Sequence, residues 1–286
     1  EKNALLRALY AFAPTRKLLH KVAGKKLKAL FGGRMRFFAI GGAKFDSEAE
    51  RFLKESGFPY GIGYGLTETA PLLAGAVGKM VRIGSTGPSL DGVELRLDNI
   101  NPSTGQGEIV AKTPCCMSGY YKNEEATKDA FTEDGWFRTG DLGYIAPDGW
   151  VFIKGRLKNM IVGPSGENIY PEDIEEVINS NPIVAESVVT EENGKLVALV
   201  HFDMAALEAR YDEFKRLVSG GKEQMGQMYS ASKEQIAEKM EEIKRELVTY
   251  VNSKVIRFSQ ITKVIDNGCE FEKTPTKKIR RFVYEQ

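Results

Sequence analysis

The chain has 286 residues, with 40 Lys and Arg against 39 Asp and Glu, a formal charge of +1, 42% hydrophobic and 28% charged side chains. That balance excludes a disordered or collagen-like chain and leaves length for a sizeable core, in two domains or one large one. No uncharged apolar run approaches the roughly 18 residues of a membrane-spanning helix. The three cysteines, Cys115, Cys116 and Cys269, suit neither a disulfide framework nor a cysteine zinc site, so a reducing cytoplasm is the expected compartment.

Charge is unevenly spread. Residues 1–36 hold ten Lys and Arg against the single acid Glu1, a net +9 that leaves −8 for the remainder. Such a run reads first as a solvated helical face, with a membrane-surface helix or an Arg-rich, acid-poor targeting peptide as the functional alternatives. It lacks the continuous apolar stretch and the cleavage site of a secretory signal. The chain opens inside a helical pattern on Glu1 rather than Met, which points to a piece of a longer polypeptide.

In chain order, leucines from Leu5 to Leu30 recur at helical spacing and Pro14 divides them into two helices. Met35–Ile40 reads as a short strand ending in Gly41-Gly42-Ala43. A helix follows, with Ser47 and Glu50 as a capping box and Gly57 as its stop. Gly61–Thr69 is a glycine-rich loop after a short strand. From about residue 80 the texture turns to short strands: Val93–Leu97, Glu108–Ala111, and a hairpin of Tyr144–Ile145 with Val151–Ile153 around Pro147-Asp148-Gly149. Beyond Arg156 come a helix from about Pro171 to Asn181 and strands near Val184–Val189 and Leu196–Phe202. A charged helix then opens at Ser232, with the stripe Ile236, Met240, Ile243, Leu247 and Val251. The expectation is an α/β (α+β) protein with a first domain over 1–156, β-rich from about 80, and a second over 157–286.

Several chemistries are excluded. Gly220-Gly221-Lys222 is followed by Glu223, so there is no Walker loop, and Gly61-x-Gly63-x-Gly65 is not a dinucleotide fingerprint. With only His20 and His201, a histidine metal site is ruled out and a serine–histidine triad is disfavoured. Nucleic-acid modules leave no trace. What remains is a set of loops that mix glycine, hydroxyl, acid and base. In Tyr64-Gly65-Leu66-Thr67-Glu68 a purine could stack on the ring, the hydroxyl could reach a phosphate and the carboxylate could hold Mg²⁺. The lone acid of Arg138-Thr139-Gly140-Asp141 suits ribose hydroxyls, and Arg156 offers donors to phosphate or ribose. Each of these loops alone is an ordinary turn.

Their order is not ordinary. Gly41-Gly42-Ala43, Gly63–Thr69, Gly84-Ser85-Thr86-Gly87-Pro88, Gly107-Glu108-Ile109, Gly119-Tyr120-Tyr121, Asp134–Asp141, Gly155–Ile161, Gly163–Glu175 and Thr274–Arg281 follow one another from about residue 37 to the end. The series resembles the AMP-forming acyl-CoA synthetases, within the adenylate-forming enzymes. Gly163-Pro164-Ser165-Gly166-Glu167-Asn168 and Thr274-Pro275-Thr276-Lys277-Lys278 are similar to the bacterial long-chain fatty-acid branch.

The resemblance implies a carboxylate and ATP·Mg²⁺ joined as an acyl-adenylate with loss of pyrophosphate, then transfer of a fatty acyl group to coenzyme A. By the same resemblance Gly41, Gly42, Ala43, Tyr64, Gly65 and Ile153 would form the adenine slot and Thr67 would touch the α-phosphate. Glu68 would ligate Mg²⁺, Asp141 would hold the ribose hydroxyls and Arg156 ribose or phosphate. Lys278, preferred over Lys277 because Ile279 and Arg280 follow it, would bridge the acyl carboxylate and the α-phosphate. Lys158 would be the hinge of a mobile second domain, and Gly163, Gly166, Glu167 and Asn168 would face the coenzyme A channel. The family's phosphate loop and most of its acyl pocket lie upstream of the first matched block. The N-terminal half is therefore missing, and the piece alone is expected to be inactive. Alternatives are another adenylate former, of peptide-synthetase or luciferase-like type, and a non-catalytic nucleotide-binding module.

Overall fold

The computed structural model describes residues 10–164, 166–211, 227–275 and 277–284, and the chain divides into two compact units between Leu157 and Lys158. In the first unit, helix α1 (Ala13–Leu30) starts with Pro14 in its first turn, where the missing N–H costs no helical hydrogen bond. Its Gly24 lets it lie against α2 (Ser47–Ser56): a Cβ there would fall 2.5 Å from Ser56 Cβ. Arg16 closes the contact with two bonds to Glu55, at 3.0 and 2.9 Å. The cap of α2 differs from expectation. Asp46, not Ser47, accepts from the Ala49 amide. Glu50 is 1% exposed and accepts from the Gly84 amide at 2.8 Å, so it is drawn inward and forms no capping box. Gly57, at φ 70°, ends the helix as expected.

Strand β1 (Phe38–Gly41) runs parallel to β2 (Tyr60–Gly65), which pairs antiparallel with β3 (Leu72–Val77). A second sheet of five strands is ordered β4-β8-β7-β6-β5 and is wholly antiparallel. Its members are β4 (Gly87–Pro88), β5 (Glu94–Asp98), β6 (Gly107–Lys112), β7 (Phe137–Ile145) and β8 (Trp150–Arg156), with the short helix α3 (Glu124–Asp129) between β6 and β7. The sheets touch backbone to backbone. Gly87 lies at φ 97°, and a Cβ there would come within 2.2 Å of the Gly75 carbonyl carbon. The hairpin expected around Pro147-Asp148-Gly149 joins β7 to β8, with Ile145 opposite Val151.

The second unit begins with the two-residue strands β9 (Ile161–Val162) and β10 (Asn168–Ile169) and helix α4 (Pro171–Asn179), which stops two residues short of Asn181. Strands β11 (Val184–Glu192) and β12 (Lys195–Phe202) pair antiparallel. Helices α5 (Met204–Arg210) and α6 (Gln227–Asn252) follow, and β13 (Lys263–Asp266) returns parallel to β12. The core joins Ile174 and Ile178 of α4 with Val189, Ala198 and Val200 of the sheet and Ile243, Leu247 and Val251 of α6. The apolar stripe read from sequence is therefore core. Ser232 lies inside α6 rather than at its start. The whole is a mixed α/β fold of several open sheets. Among the described residues no helix is long and apolar enough to cross a membrane.

Candidate active site

Parallel β1 and β2 end side by side, with Gly41 opposite Gly63. In open α/β sheets the carboxyl ends of parallel strands are where ligands bind. Exposed Gly41-Gly42-Ala43 leaves one strand and Gly65-Leu66-Thr67-Glu68 the other. The glycines are there because the backbone is crowded. A Cβ on Gly65 would sit 1.7 Å from the Pro71 carbonyl oxygen, and one on Gly41 would sit 2.9 Å from that of Gly63. After β2 the chain makes a tight turn over Thr67–Thr69. Buried Thr69 holds it, its hydroxyl accepting from the Leu66 amide at 3.2 Å and lying 3.0 Å from both the Leu66 and Pro71 carbonyl oxygens. Thr67 is left exposed and Glu68 half-buried. The Glu68 carboxylate accepts from the Tyr120 hydroxyl at 3.0 Å and its carbonyl from the Met117 amide at 2.8 Å.

Asp141 lies on β7 directly opposite Arg156 on β8 and is 6% exposed. Its Oδ2 accepts from the Tyr64 hydroxyl at 2.7 Å and its Oδ1 from Arg156 Nε at 2.8 Å. Arg156 Nη1 also donates to the Thr139 carbonyl at 3.1 Å, and the Asp141 amide donates to the Thr139 hydroxyl at 3.1 Å. Behind this loop Glu108, itself buried, accepts from the Gly140 amide at 3.2 Å and from Arg138 at 2.6 Å. Tyr64, Asp141 and Arg156 thus form one cluster linking the two sheets. The Tyr64 ring is only 9% exposed and belongs with Leu73, Ile109, Ala111 and Val151, with Ile153 packed against that group. Its hydroxyl holds Asp141. Burial and the neighbouring carboxylate push its phenol well above the ordinary value, and burial with the bond to Glu68 raises that of Tyr120. Both hydroxyls stay protonated donors at neutral pH.

Among the described residues no three His, Cys, Asp or Glu side chains form a metal cluster. One half-buried carboxylate, Glu68, beside an exposed hydroxyl suits Mg²⁺, which keeps several waters and takes one or two carboxylates along with phosphate oxygens. It does not suit zinc, which needs three or four protein ligands.

The second unit carries the other expected residues. Lys158 is exposed in a tight turn, Leu157–Asn159, and the Asn159 side chain donates to Glu172 at 2.7 Å. Between β9 and β10 the Gly163 amide donates to the Glu167 carbonyl at 2.8 Å, and Gly166 takes the left-handed conformation at φ 84°. Lys278 is exposed on a second hairpin. There the Thr274 amide donates to the Lys278 carbonyl at 2.8 Å, the Lys277 amide to the Thr274 carbonyl at 2.8 Å, and the Lys278 amide to the Thr274 hydroxyl at 3.1 Å. Lys277 occupies the left-handed region at φ 61°. This position is set by the turn and favours glycine, which separates the two lysines: Lys277 shapes the backbone and Lys278 follows it with ordinary geometry. Replacing Lys277 with Gly relieves roughly 1–2 kcal/mol of strain against a smaller entropic cost. A thermal melt is expected to show unchanged or slightly higher stability.

Comparison with known proteins bears on these loops. A sequence profile described as AMP-binding enzyme matches residues 3–121, which include Gly41–Ala43, Tyr64–Glu68 and Tyr120. The long-chain-fatty-acid–CoA ligase FadD15 of Mycobacterium bovis is 31% identical over 280 residues, 98% of this chain and 44% of that protein. Residues 3–121 thus match the AMP-binding enzyme family. The 2-succinylbenzoate–CoA ligase of Bacillus cytotoxicus is 36% identical over 160 residues, 54% of this chain and 33% of that protein. Among solved structures, the O-succinylbenzoate coenzyme A synthetase MenE of Bacillus subtilis, in complex with ATP and magnesium ion, superimposes with a TM-score of 0.65. That match has 24% identity and covers 86% of this chain and 46% of that one, so it shows the fold. The chain spans less than half the length of these relatives.

Tyr120, Glu108 and Thr139 had no assigned role in the sequence reading. Gly119-Tyr120-Tyr121 and Gly107-Glu108-Ile109 stand out there as blocks. Only folding brings Tyr120 to Glu68, 52 residues away, and Glu108 to Arg138, 30 away.

Proposed function

We propose that this chain serves an AMP-forming fatty acid–CoA ligase, supplying the nucleotide-binding side of its large domain, residues 1–156, and its small mobile domain, residues 157–286. The Tyr64–Asp141–Arg156 cluster carries the reading: an acceptor-only carboxylate, held in place by a phenol and a guanidinium, is built to take the two hydroxyls of a ribose. Glycines 41 and 42 with Ala43 and Gly65 let the base approach the backbone beside Ile153, and Thr67 reaches the α-phosphate. Glu68 would hold Mg²⁺, which when bound offsets charge on the phosphates.

In the first half-reaction a carboxylate oxygen attacks the α-phosphorus and pyrophosphate leaves. Two anions must meet, so positioning and positive charge carry most of the rate. Lys278 places its ammonium between carboxylate and phosphate, and Arg156 steadies the ribose. In the second, the thiol of coenzyme A attacks the acyl carbonyl and AMP leaves, with Gly163, Gly166, Glu167 and Asn168 lining the thiol's approach. Lys158 at the unit boundary is the hinge between the two poses. Lys158→Pro is expected to slow one half-reaction while sparing the other; equal, undiminished rates for both would remove the hinge. The 286 residues alone are expected to make no acyl-CoA, because the phosphate loop belongs to the remainder of the enzyme.

A fatty acyl chain suits the apolar lining of a cavity of about 410 Å³ on the β1-β2-β3 sheet. Phe37, Ile62, Leu72, Val77, Met80 and Leu90 contribute to it, and the remainder of the acyl pocket belongs to the rest of the enzyme. The test is acyl-CoA formation by the full-length polypeptide with saturated fatty acids and with succinylbenzoate. A higher kcat/KM for succinylbenzoate would refute the substrate class. The basic, partly apolar face of α1, with Leu18, Val22 and Leu30 exposed among Lys17, Lys21, Lys25 and Lys28, suits the surface of an anionic bilayer from which fatty acid is taken. Vesicle binding by this region that weakens with salt supports this contact, and salt-insensitive or absent binding ends it.

A further inference from the structure

The second unit holds one buried carboxylate that the proposed chemistry does not use. Glu175, in the middle of α4, is 7% exposed. Its Oε1 accepts from the Val189 amide of β11 at 2.6 Å, and its Oε2 accepts from Arg281. One side chain thereby ties the core helix, the central sheet and the C-terminal segment. Burial pushes the Glu175 carboxyl up to about 6 against the opposing pull of Arg281, so above that pH it is ionised and in need of its partner.

Arg281 lies three residues beyond Lys278. The hairpin between them and Glu272 is closed on itself: the Arg280 amide donates to the Glu272 carbonyl at 2.8 Å, and Lys273 pairs with Ile279. Its direction is set where it meets the rest of the unit. Two ion pairs do so: buried Glu175 with half-buried Arg281, and Lys273–Glu186 at 2.6 Å with both side chains 27% exposed, while the segment also carries the edge-to-face contact of Phe271 with Tyr284. Partly exposed ion pairs hold geometry weakly, whereas loss of Arg281 strands the buried Glu175 carboxylate without its counter-charge. Phe271 and Tyr284 lie within the segment itself.

We propose that the Glu175–Arg281 pair is the positioning anchor of the Lys278 hairpin, aiming the Lys278 ammonium during adenylation. This rests on the reading of Lys278 given above. Neither Glu175 nor Arg281 touches substrate; they act through the backbone of residues 278–281, and a displacement of about 1 Å at a reacting group can cost 10²-fold in rate.

The test separates the half-reactions in the full-length polypeptide. Arg281→Ala is expected to lower the kcat of fatty-acid-dependent ATP–pyrophosphate exchange by about 10- to 100-fold, with KM for ATP and acid nearly unchanged. Thioester formation from supplied acyl-adenylate should stay at the parent rate, which also reports that the unit is folded. Arg281→Lys should restore most of the exchange. The near-isosteric Glu175→Gln keeps one acceptor and turns an NH2 toward the other donor, removing the ion pair with little change of shape, and should reduce exchange alone by a smaller factor even if the alanine variant does not fold. Exchange unaffected by Arg281→Ala, in a protein where Lys278→Ala abolishes it, would overturn the anchor alone, as would an equal fall in both half-reactions. Exchange that survives Lys278→Ala would instead overturn the reading beneath it.

Discussion

Lys278→Ala is expected to cut fatty-acid-dependent ATP–pyrophosphate exchange by about 10²- to 10³-fold, the scale on which loss of one preorganised donor at a developing charge is felt. The residue is exposed and it is its backbone that bonds to Thr274, so removing its side chain costs little stability. The loss belongs to the adenylation step. Transfer from supplied acyl-adenylate to coenzyme A, where no anion approaches phosphate, should be within a few-fold of the parent. Lys277→Ala in the same assay should leave exchange nearly intact, because Lys277 serves the turn at φ 61°. Equal losses for the two lysines would mean that the hairpin carries general positive charge and no placed ammonium.

Asp141→Ala has the larger effect on the protein itself. The carboxylate is buried with Arg156 on one oxygen and Tyr64 on the other. Its removal leaves the buried Tyr64 phenol without its acceptor, while the 38% exposed Arg156 is met by water, at a cost of about 1–3 kcal/mol to the first unit. Asp141→Asn keeps shape and one acceptor, so it separates stability from binding. Charge-assisted hydrogen bonds contribute about 1.5–3 kcal/mol each. Two of them to a ribose predict a rise of at least about 10²-fold in the KM for ATP with Asn. Little change in KM, in a folded Asn variant, would remove ribose binding from Asp141 and leave it a purely structural link between the sheets.

The sequence made the local elements legible and left the long-range ones obscure, for physical reasons. Gly57 ends its helix and Pro147-Asp148-Gly149 turns its hairpin because the preferences at work lie within the residues themselves. The cap of α2 was misread because Asp46 and Ser47 are adjacent and equally suited by type. What decides between them is Glu50, recruited to the Gly84 amide 34 residues away. Likewise Ser232 has the look of a cap, but α6 already runs from Gln227. At the candidate site, spacing could nominate Tyr64, Asp141 and Arg156 separately. It could not show that a tyrosine expected to stack on a base is buried and bonded to a carboxylate 77 residues on. Lys277 in the left-handed region was invisible for the opposite reason: lysine is not a residue whose presence announces that conformation.

The central claim is that carboxylate and nucleotide are joined as an acyl-adenylate, and isotope transfer tests it most directly. With a fatty acid labelled by ¹⁸O in both carboxylate oxygens, the full-length polypeptide, ATP and coenzyme A should yield AMP carrying one ¹⁸O on its phosphate. Its pyrophosphate should carry none, because the attacking oxygen remains on the α-phosphorus when the thiol displaces AMP. Label in inorganic phosphate with formation of ADP would place the attack on the γ-phosphorus and contradict the account.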